Sequence, residues 1–221
     1  MCVLICRVGE RPILAANRDE AYARPFSAPR RWVAPTPFWA PRDEEEGGTW
    51  LGVNAARLVA AITNRSTLPE TPGLPSRGRL VTGVLGLPSL EAARAWLEAE
   101  VAQGPRNPFQ LIAAQGPRAF LALHGPEGTR VRELARGFHV VSNLHGEGEI
   151  DLSVPPDAGF DELKPILADR TPRLPRGYAI CKDAGWRGTV ASALLEPGRA
   201  FLFADGPPGK APYLPVEGYP A

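Results

Sequence analysis

The first twenty residues constrain the fold most, because they hold two short apolar runs separated by a turn. Val3 to Ile5 is strongly β-prone, and a second apolar run extends from Pro12 to Ala16. Gly9-Glu10-Arg11 is a turn sequence between them, and the second run leads into the polar sequence Asn17-Arg18-Asp19-Glu20. This pattern predicts a β-hairpin with a charged end.

The register of this hairpin decides which charged residue lies opposite Cys2. A three-residue loop at 9–11 pairs Val8 with Pro12 and hence Cys2 with Arg18, whereas a two-residue loop pairs Cys2 with Asp19. Both registers bring Arg18 and Asp19 to the cysteine. The alternative interpretation is that these two residues form only a surface ion pair.

Cys2 is a candidate nucleophile, because removal of Met1 before a small side chain would make it the N-terminal residue. Its thiolate would attack, and its α-amine, with a pKa of about 8, would accept the thiol proton near neutral pH. Arg18 would lower the thiol pKa and Asp19 would hold the amine in position. The alternative is that Cys2 has no catalytic role.

Several short motifs follow one another along most of the chain. They are Met1-Cys2, Ile13-Leu14-Ala15-Ala16-Asn17-Arg18-Asp19-Glu20, Arg24-Pro25, Gly47-Gly48-Thr49-Trp50-Leu51-Gly52, Ala60-Ala61-Ile62-Thr63-Asn64, Arg77-Gly78-Arg79-Leu80-Val81, Asn107-Pro108-Phe109-Gln110-Leu111-Ile112 and Val141-Ser142-Asn143. In this order they resemble the NRDE family, whose animal members are called transport and Golgi organisation proteins. The chain departs from the family near its C-terminus, where Arg187 precedes Gly188-Thr189 instead of following it, so the role of Arg187 stays open.

The resemblance implies an α+β fold of the N-terminal nucleophile (Ntn) hydrolase type, an αββα sandwich of mainly antiparallel sheets. It also implies a distant similarity to cysteine-dependent bile-salt and penicillin acylases. By motif position, the catalytic residues would be Cys2, Arg18, Asp19, Asn64 and Asn143. The asparagines would form an oxyanion hole, because amides donate hydrogen bonds without titrating. The predicted substrate-binding residues are Asn17, Glu20, Trp50 and Arg77.

The length and net charge of the chain limit the classes of protein to which it can belong. A chain of 221 residues with 44% hydrophobic content can bury a substantial core, and we expect a single domain over 1–221. The net charge of +1 gives no broad electrostatic reason to expect nucleic acid or an anionic membrane as a partner. The 25 prolines, the single methionine and the mostly arginine basic set suit a thermophilic or GC-rich bacterial source.

Three cysteines do not suggest a disulfide framework, and they favour a reducing cytoplasm. No apolar stretch approaches the roughly 18 residues of a membrane span, and no signal peptide is recognised. Core packing is the expected role of Cys6. His124, His139 and His145 have no recognised ligand spacing, and no Cys-x-x-Cys-His sequence signals attached haem. We therefore assign no metal and no cofactor.

Strand patterns dominate the rest of the chain, with three helical regions among them. The predicted strands are 49–53, 58–64, 109–114, 119–124, 130–134, 138–142, 189–195 and 200–204, and the predicted helices are 79–87, a Ser89-capped helix ending at 101, and 161–169. Trp32, Phe38 and Trp39, set among prolines, either roof an apolar pocket or pack under a long loop. The acidic run 43–46 is a solvated face or a mobile lip, and the tail from Pro207 is expected to be irregular.

Three functions fit these observations. The first is hydrolysis of a small linear or acyl amide by Cys2. The second is a binding or trafficking module that holds haem or an acyl-thioester metabolite in the same pocket, since the family has been linked to haem trafficking, lipid metabolism and secretory organisation without a settled reaction. The third, a glutamine amidotransferase, needs an ammonia-accepting partner or domain. Arg77 would contact a ligand carboxylate or phosphate, or form a salt bridge at a helix start.

Overall fold

The computed structural model describes residues 2–172 and 177–220. In this part of the chain, thirteen strands and three helices are found. The strands are β1 Val3–Val8, β2 Ile13–Ala21, β3 Phe26–Trp32, β4 Phe38–Asp43, β5 Leu51–Asn54, β6 Val59–Asn64, β7 Phe109–Gln115, β8 Arg118–Gly125, β9 Gly128–Glu133, β10 Gly137–Ser142, β11 Arg187–Glu196, β12 Ala200–Ala204 and β13 Leu214–Pro215. The helices are α1 Gly78–Leu85, α2 Leu90–Ala102 and α3 Phe160–Ala168.

The strands form two antiparallel sheets that pack face to face. One has the order β10-β1-β2-β11-β12-β13, and the other runs from β3 to β9 in chain order. A shared core lies between them, with Leu4 and Leu14 packed in the same cluster as Val59 and Leu111. The main core thus belongs to both sheets.

Helices cover the outer faces. α1 contacts β5 and β6, and α2 contacts β7, on the seven-stranded sheet. On the six-stranded sheet, Leu163 and Leu167 of α3 pack against Val3, Ile5 and Ile13. The fold is therefore the α+β sandwich expected from the resemblance.

The N-terminal hairpin adopts the three-residue register. Val3 pairs with Asn17 and Arg7 with Ile13, so continuation of the same register sets Cys2 level with Arg18. Because side chains alternate along a strand, Leu4 faces the inter-sheet core while Val3 faces α3. The open end of the hairpin, where the charged residues lie, is thereby brought to one end of the inter-sheet gap.

Residues 26–43 differ from the sequence-based expectation, because they form two strands, β3 and β4. Pro29 is tolerated in β3 because this is the edge strand of its sheet and its register shifts between Ser27 and Arg30. Trp32 stacks on Phe38 at 5.2 Å between ring centroids, and its Nε1 donates to the carbonyl of Ala40 at 2.9 Å. These aromatic residues therefore pack within the sheet and do not roof a pocket.

The predicted helices are confirmed, with small changes at their ends. Ser89 caps α2 as expected, since its hydroxyl accepts a hydrogen bond from the backbone N–H of Ala92 at 3.2 Å. Gly83 lets α1 approach α2, because a Cβ at that position would overlap the ring of Trp96. The tail after Pro207 is less irregular than predicted, since it contributes the short strand β13.

Candidate active site

A cavity of about 690 Å³ opens at the charged end of the hairpin, and residues of both sheets line it. The loop between β6 and α1 contributes much of its wall. Eight of the nine residues predicted for the site line this cavity: Cys2, Arg18, Asp19, Glu20, Trp50, Asn64, Arg77 and Asn143. The fold thus gathers residues that are scattered over more than 140 positions of the sequence.

Asn17 is the predicted substrate-binding residue that the structure places elsewhere. It alternates with Arg18 along β2 and is fully buried on the side facing α3. Its Nδ2 donates to the carbonyls of Leu167 at 2.9 Å and Ile180 at 3.1 Å, and its Oδ1 accepts from Ser192 Oγ at 2.7 Å. Asn17 therefore ties the end of α3 to the sheet and does not contact the cavity.

Backbone hydrogen bonds hold Cys2 beside Asn143. The N–H of Asn143 donates to the carbonyl of Cys2 at 3.2 Å, and the N–H of Ser66 donates to the carbonyl of Asn143 at 2.8 Å. The Asn143 side chain also contacts Ser66, because its Nδ2 donates to Ser66 Oγ at 2.9 Å. The start of β1, the end of β10 and the loop after β6 are joined at this point.

The Cys2 thiol is partly buried, and burial is the main influence that raises its pKa above the ordinary value of 9.0. The negative charge of Asp19 raises the pKa further. Arg18 and a backbone hydrogen bond from Asp19 act in the opposite direction without reversing the shift. The expected effect of Arg18 is thus present, but desolvation outweighs it, so the thiol needs a base to ionise near neutral pH.

Arg18 is held rigidly under the cavity. Its side chain is 4% exposed, and its Nη2 donates to Asp43 Oδ2 at 2.7 Å. The guanidinium carbon lies 4.5 Å from the Trp50 ring centroid and 5.1 Å from that of Phe26. Arg18 Nη1 is buried and has no hydrogen-bond partner within residues 2–172 and 177–220.

Asp43 is a site residue that sequence reasoning missed, because it was grouped with the acidic run that follows it. Glu44, Glu45 and Glu46 are exposed as expected, but Asp43 is only 14% exposed and also accepts from Arg24 Nε at 2.8 Å. Burial opposes its ionisation, yet hydrogen bonds from Arg24 and from a backbone N–H outweigh burial and lower the pKa of Asp43 below 3.8. Asp43 is therefore a charged support for Arg18.

Asp19 is supported by two residues from the C-terminal part of the chain. Thr189 Oγ1 donates to Asp19 Oδ1 at 2.6 Å, and Lys182 Nζ lies 3.1 Å from Oδ2. The backbone N–H of Lys182 also donates to Thr189 Oγ1 at 2.9 Å. Neither residue was predicted; Thr189, which belongs to the altered Arg187-Gly188-Thr189 sequence, pairs with Asp19 across β11 and β2.

The other lining residues have defined positions. Asn64 ends β6, and its side-chain amide forms no hydrogen bond to other residues in the described part of the chain. Glu20 Oε1 accepts from the backbone N–H of Ala21 at 2.9 Å. Arg77 Nη1 donates to Glu70 at 2.8 Å, which is the salt bridge weighed as the alternative, while the same residue lines the cavity.

Over the described ranges, no group of three or more histidine, cysteine, aspartate or glutamate side chains could hold a metal ion. The histidines make ordinary polar contacts; His124, for example, lies 2.8 Å from Thr129 Oγ1 and 3.2 Å from the carbonyl of Arg106. Among the same residues, no helix is long and apolar enough to cross a membrane.

Solved structures with the Ntn-hydrolase fold are similar to this chain. A variant of the conjugated bile acid hydrolase from Clostridium perfringens has a TM-score of 0.58 at 10% identity, over 97% of this chain and 92% of that chain. A Caenorhabditis elegans N-acylethanolamine-hydrolyzing acid amidase ortholog has a TM-score of 0.61 at 12% identity, over 89% of this chain and 93% of that chain. At these identities the similarity shows the fold alone.

Sequence comparison identifies the family. The Transport and Golgi organization protein 2 homolog of Bos taurus is 36% identical over 126 residues, which are 52% of this chain and 45% of that protein. The Homo sapiens homolog is 36% identical over 96 residues, which are 38% of this chain and 35% of that protein. The matches thus span less than half the length of these curated relatives. Because the family model "Transport and Golgi organisation 2" matches residues 1–151, the chain belongs to that family.

Proposed function

We propose that this chain is a cysteine Ntn hydrolase that cleaves the C–N bond of a small linear or acyl amide. The observation that carries the proposal is the position of Cys2, which shares one cavity with Arg18, Asp19, Asn64 and Asn143. The fold supports it, since structures with this fold include a conjugated bile acid hydrolase, an N-acylethanolamine-hydrolyzing acid amidase and a penicillin V acylase. Because one fold can serve many functions, the reaction depends on the residues of the cavity.

The first step is attack by Cys2. Removal of Met1 frees the α-amine of Cys2, which takes the thiol proton and becomes an ammonium. This transfer matters because burial raises the thiol pKa and keeps the isolated thiol protonated. The thiolate Sγ then bonds to the amide carbonyl carbon, and the carbonyl oxygen becomes an oxyanion. Arg18 favours the thiolate, and Asp19 holds the α-ammonium.

Two asparagine amides are available to stabilise the oxyanion. Asn64 has no hydrogen bond to its side-chain amide among the described residues, and Asn143 uses one of its two Nδ2 hydrogens for Ser66. One such donor contributes about 2.7 to 4 kcal/mol to transition-state stabilisation. Neither amide titrates, so the donors stay in place at any pH where the fold persists.

The second half of the reaction regenerates the enzyme. The intermediate collapses, the C–N bond breaks, and the amine leaves with the proton that the α-ammonium returns to it. Water then attacks the Cys2 thioester while the α-amine takes one of its protons. The products are a carboxylic acid and an amine, and the thiol of Cys2 is restored.

The test compares Cys2, which precedes β1, with Cys6, which lies within β1. Intact-mass spectrometry first establishes whether Met1 is removed, and a panel of acyl amides is then assayed for release of the amine. We expect turnover in the natural protein and in Cys6→Ala, and none in Cys2→Ala. Quantitative retention of Met1, or equal turnover in Cys2→Ala, would contradict the proposal. A purified protein without turnover but with a haem absorption band, or a copurified acyl thioester, would instead favour the binding function.

A further inference from the structure

Among the described residues that line the cavity, every cation except Arg187 forms an ion pair with a carboxylate. Arg187 lines the cavity but makes no ion pair with a carboxylate of residues 2–172 or 177–220. The pairs are Arg18 and Arg24 with Asp43, Arg77 with Glu70, and Asp19 with Lys182. A cation that lines a binding cavity without a protein carboxylate is available to a ligand.

Arg187 is held at the rim by its neighbours. It begins β11 opposite Ala21, and its carbonyl accepts a hydrogen bond from the N–H of Ala184 at 2.8 Å. The N–H of Tyr22 donates to the carbonyl of Trp186 at 3.1 Å, which fixes the adjoining turn. The Trp186 ring centroid lies 5.2 Å from the guanidinium carbon of Arg187. This distance is within the range of a cation–π contact, which helps to hold the Arg187 side chain.

Glu20 is the acidic residue next to Arg187 in the strand register, because Gly188 pairs with Glu20. Its Oε1 is engaged by the backbone N–H of Ala21 at 2.9 Å, and its charge acts on Arg24. Glu20 therefore belongs to the Arg24–Asp43 group of charges and does not neutralise Arg187 by direct contact.

We propose that Arg187 binds a carboxylate of the substrate, so that the preferred substrates are anionic acyl amides. This inference rests on the proposed hydrolase function and names the substrate class of the same site. A guanidinium edge matches a carboxylate with two parallel hydrogen bonds, and charge-assisted bonds of this kind are roughly twice as strong as neutral ones. A neutral amide of the same size offers Arg187 one uncharged carbonyl acceptor in place of two carboxylate oxygens, so it should bind more weakly.

The experiment uses two probes that differ only in charge, N-octanoylglycine and N-octanoylglycinamide. Their affinities for the unreactive Cys2→Ala chain are measured by calorimetry, and their hydrolysis is followed in the natural protein. We expect the carboxylate probe to bind about tenfold or more tightly, and to have a correspondingly lower KM. Adding Arg187→Gln should abolish this preference while leaving the amide probe unchanged, and Arg187→Lys should retain part of it. Arg130→Gln, on an exposed position of β9, is the control.

The affinity measurements separate the role of Arg187 from the hydrolase function. If the Cys2→Ala chain prefers the carboxylate probe and Arg187→Gln removes that preference, the role of Arg187 is supported. This holds even if the natural protein hydrolyses neither probe; that result would count only against the hydrolase function. Equal affinity for both probes, no binding of either, or an equal loss for both in Arg187→Gln would overturn the role of Arg187. Hydrolysis of both probes at equal KM would retain the hydrolase and overturn the inference.

Discussion

Lys182 Nζ lies 3.1 Å from Asp19 Oδ2, although 163 positions separate the two residues in the chain. The Asp19 side chain is 1% exposed and that of Lys182 is 14% exposed, so water screens this pair weakly. The contact joins Asp19, in the part of the chain that the family model matches, to Lys182, which follows that part. The site therefore depends on the C-terminal region as well as on the family motifs.

Lys182→Met should destabilise the protein, because it removes a cation that pairs with the buried carboxylate of Asp19. Breaking a buried pair costs about 3 kcal/mol of unfolding free energy. Urea unfolding measures this loss, and Lys182→Arg should restore most of it because the charge is kept. Lys164→Met is the matched control, since Lys164 pairs with the exposed Asp161 and should change stability little. Equal effects of the two methionine variants would refute the role given to Lys182.

Asp43→Asn should lower stability at neutral pH by about 3 kcal/mol, because Arg18 would stay buried without its carboxylate. The pKa of Asp43 is below its ordinary value, so its ionised form stabilises the fold. This contribution is complete above the ordinary pKa of 3.8 and is lost as the pH falls through the lower pKa of the folded state. The difference from the natural protein should therefore shrink below about pH 4.

Urea unfolding at pH 7 and at several pH values below 4 checks this dependence. Glu45→Gln is the control, because Glu45 is 50% exposed and binds only Arg24 in this group. Its effect should be small at every pH. A difference between Asp43→Asn and the natural protein that grows as the pH falls would contradict the expected sign.

The three cysteines should differ in their reaction with iodoacetamide in the folded protein. Burial raises the pKa of Cys6 to about 12, so at pH 8 only about one thiol in ten thousand is ionised. Cys6 and Cys181 are also closed to reagent, at 0% and 1% exposure, whereas Cys2 is partly exposed to the cavity. Peptide mapping should find Cys2 modified first, faster as the pH rises, with all three modified in urea. If Cys6 in the folded protein were modified as fast as Cys2, the burial of the Cys6 thiol would be contradicted.

Gly48→Ala should disturb the site through the backbone. A Cβ at Gly48 would lie 2.5 Å from the carbonyl carbon of Gly78 and 2.9 Å from the nitrogen of Arg79, where helix α1 begins. Such overpacking costs about 1 to 3 kcal/mol, and relief by moving α1 would displace the neighbouring Arg77 from the cavity wall. Thermal unfolding measures the loss. Gly104→Ala, which would meet no atom within 4 Å, should be nearly neutral; a similar loss in both variants would show that the contact with α1 is not the cause.

The local pattern of the sequence determined much of the fold. Two apolar runs and the turn at 9–11 predicted the N-terminal hairpin, and the structure selected one of the two registers that the sequence left open. Ser89 predicted the start of α2, because a capping hydroxyl acts within one turn of its own helix. Eight of the nine site residues that were proposed from the sequence line the cavity. These features depend on neighbours a few positions apart or on motifs that can be recognised directly.

Only the tertiary structure decided which partners these residues have. The Pro-rich segment 26–43 contains two strands, and Pro29 is accommodated because β3 is an edge strand with a bulge, which no local pattern reveals. Asn17 faces α3 while Arg18 faces the cavity, because one face of β2 packs against the other sheet and the opposite face packs against α3. Asp43 and Lys182 reach their partners across 25 and 163 positions. Contacts this distant arise from sheet packing and burial, so the sequence named Cys2, Arg18 and Asp19 but not Asp43 and Lys182, which support the two charges.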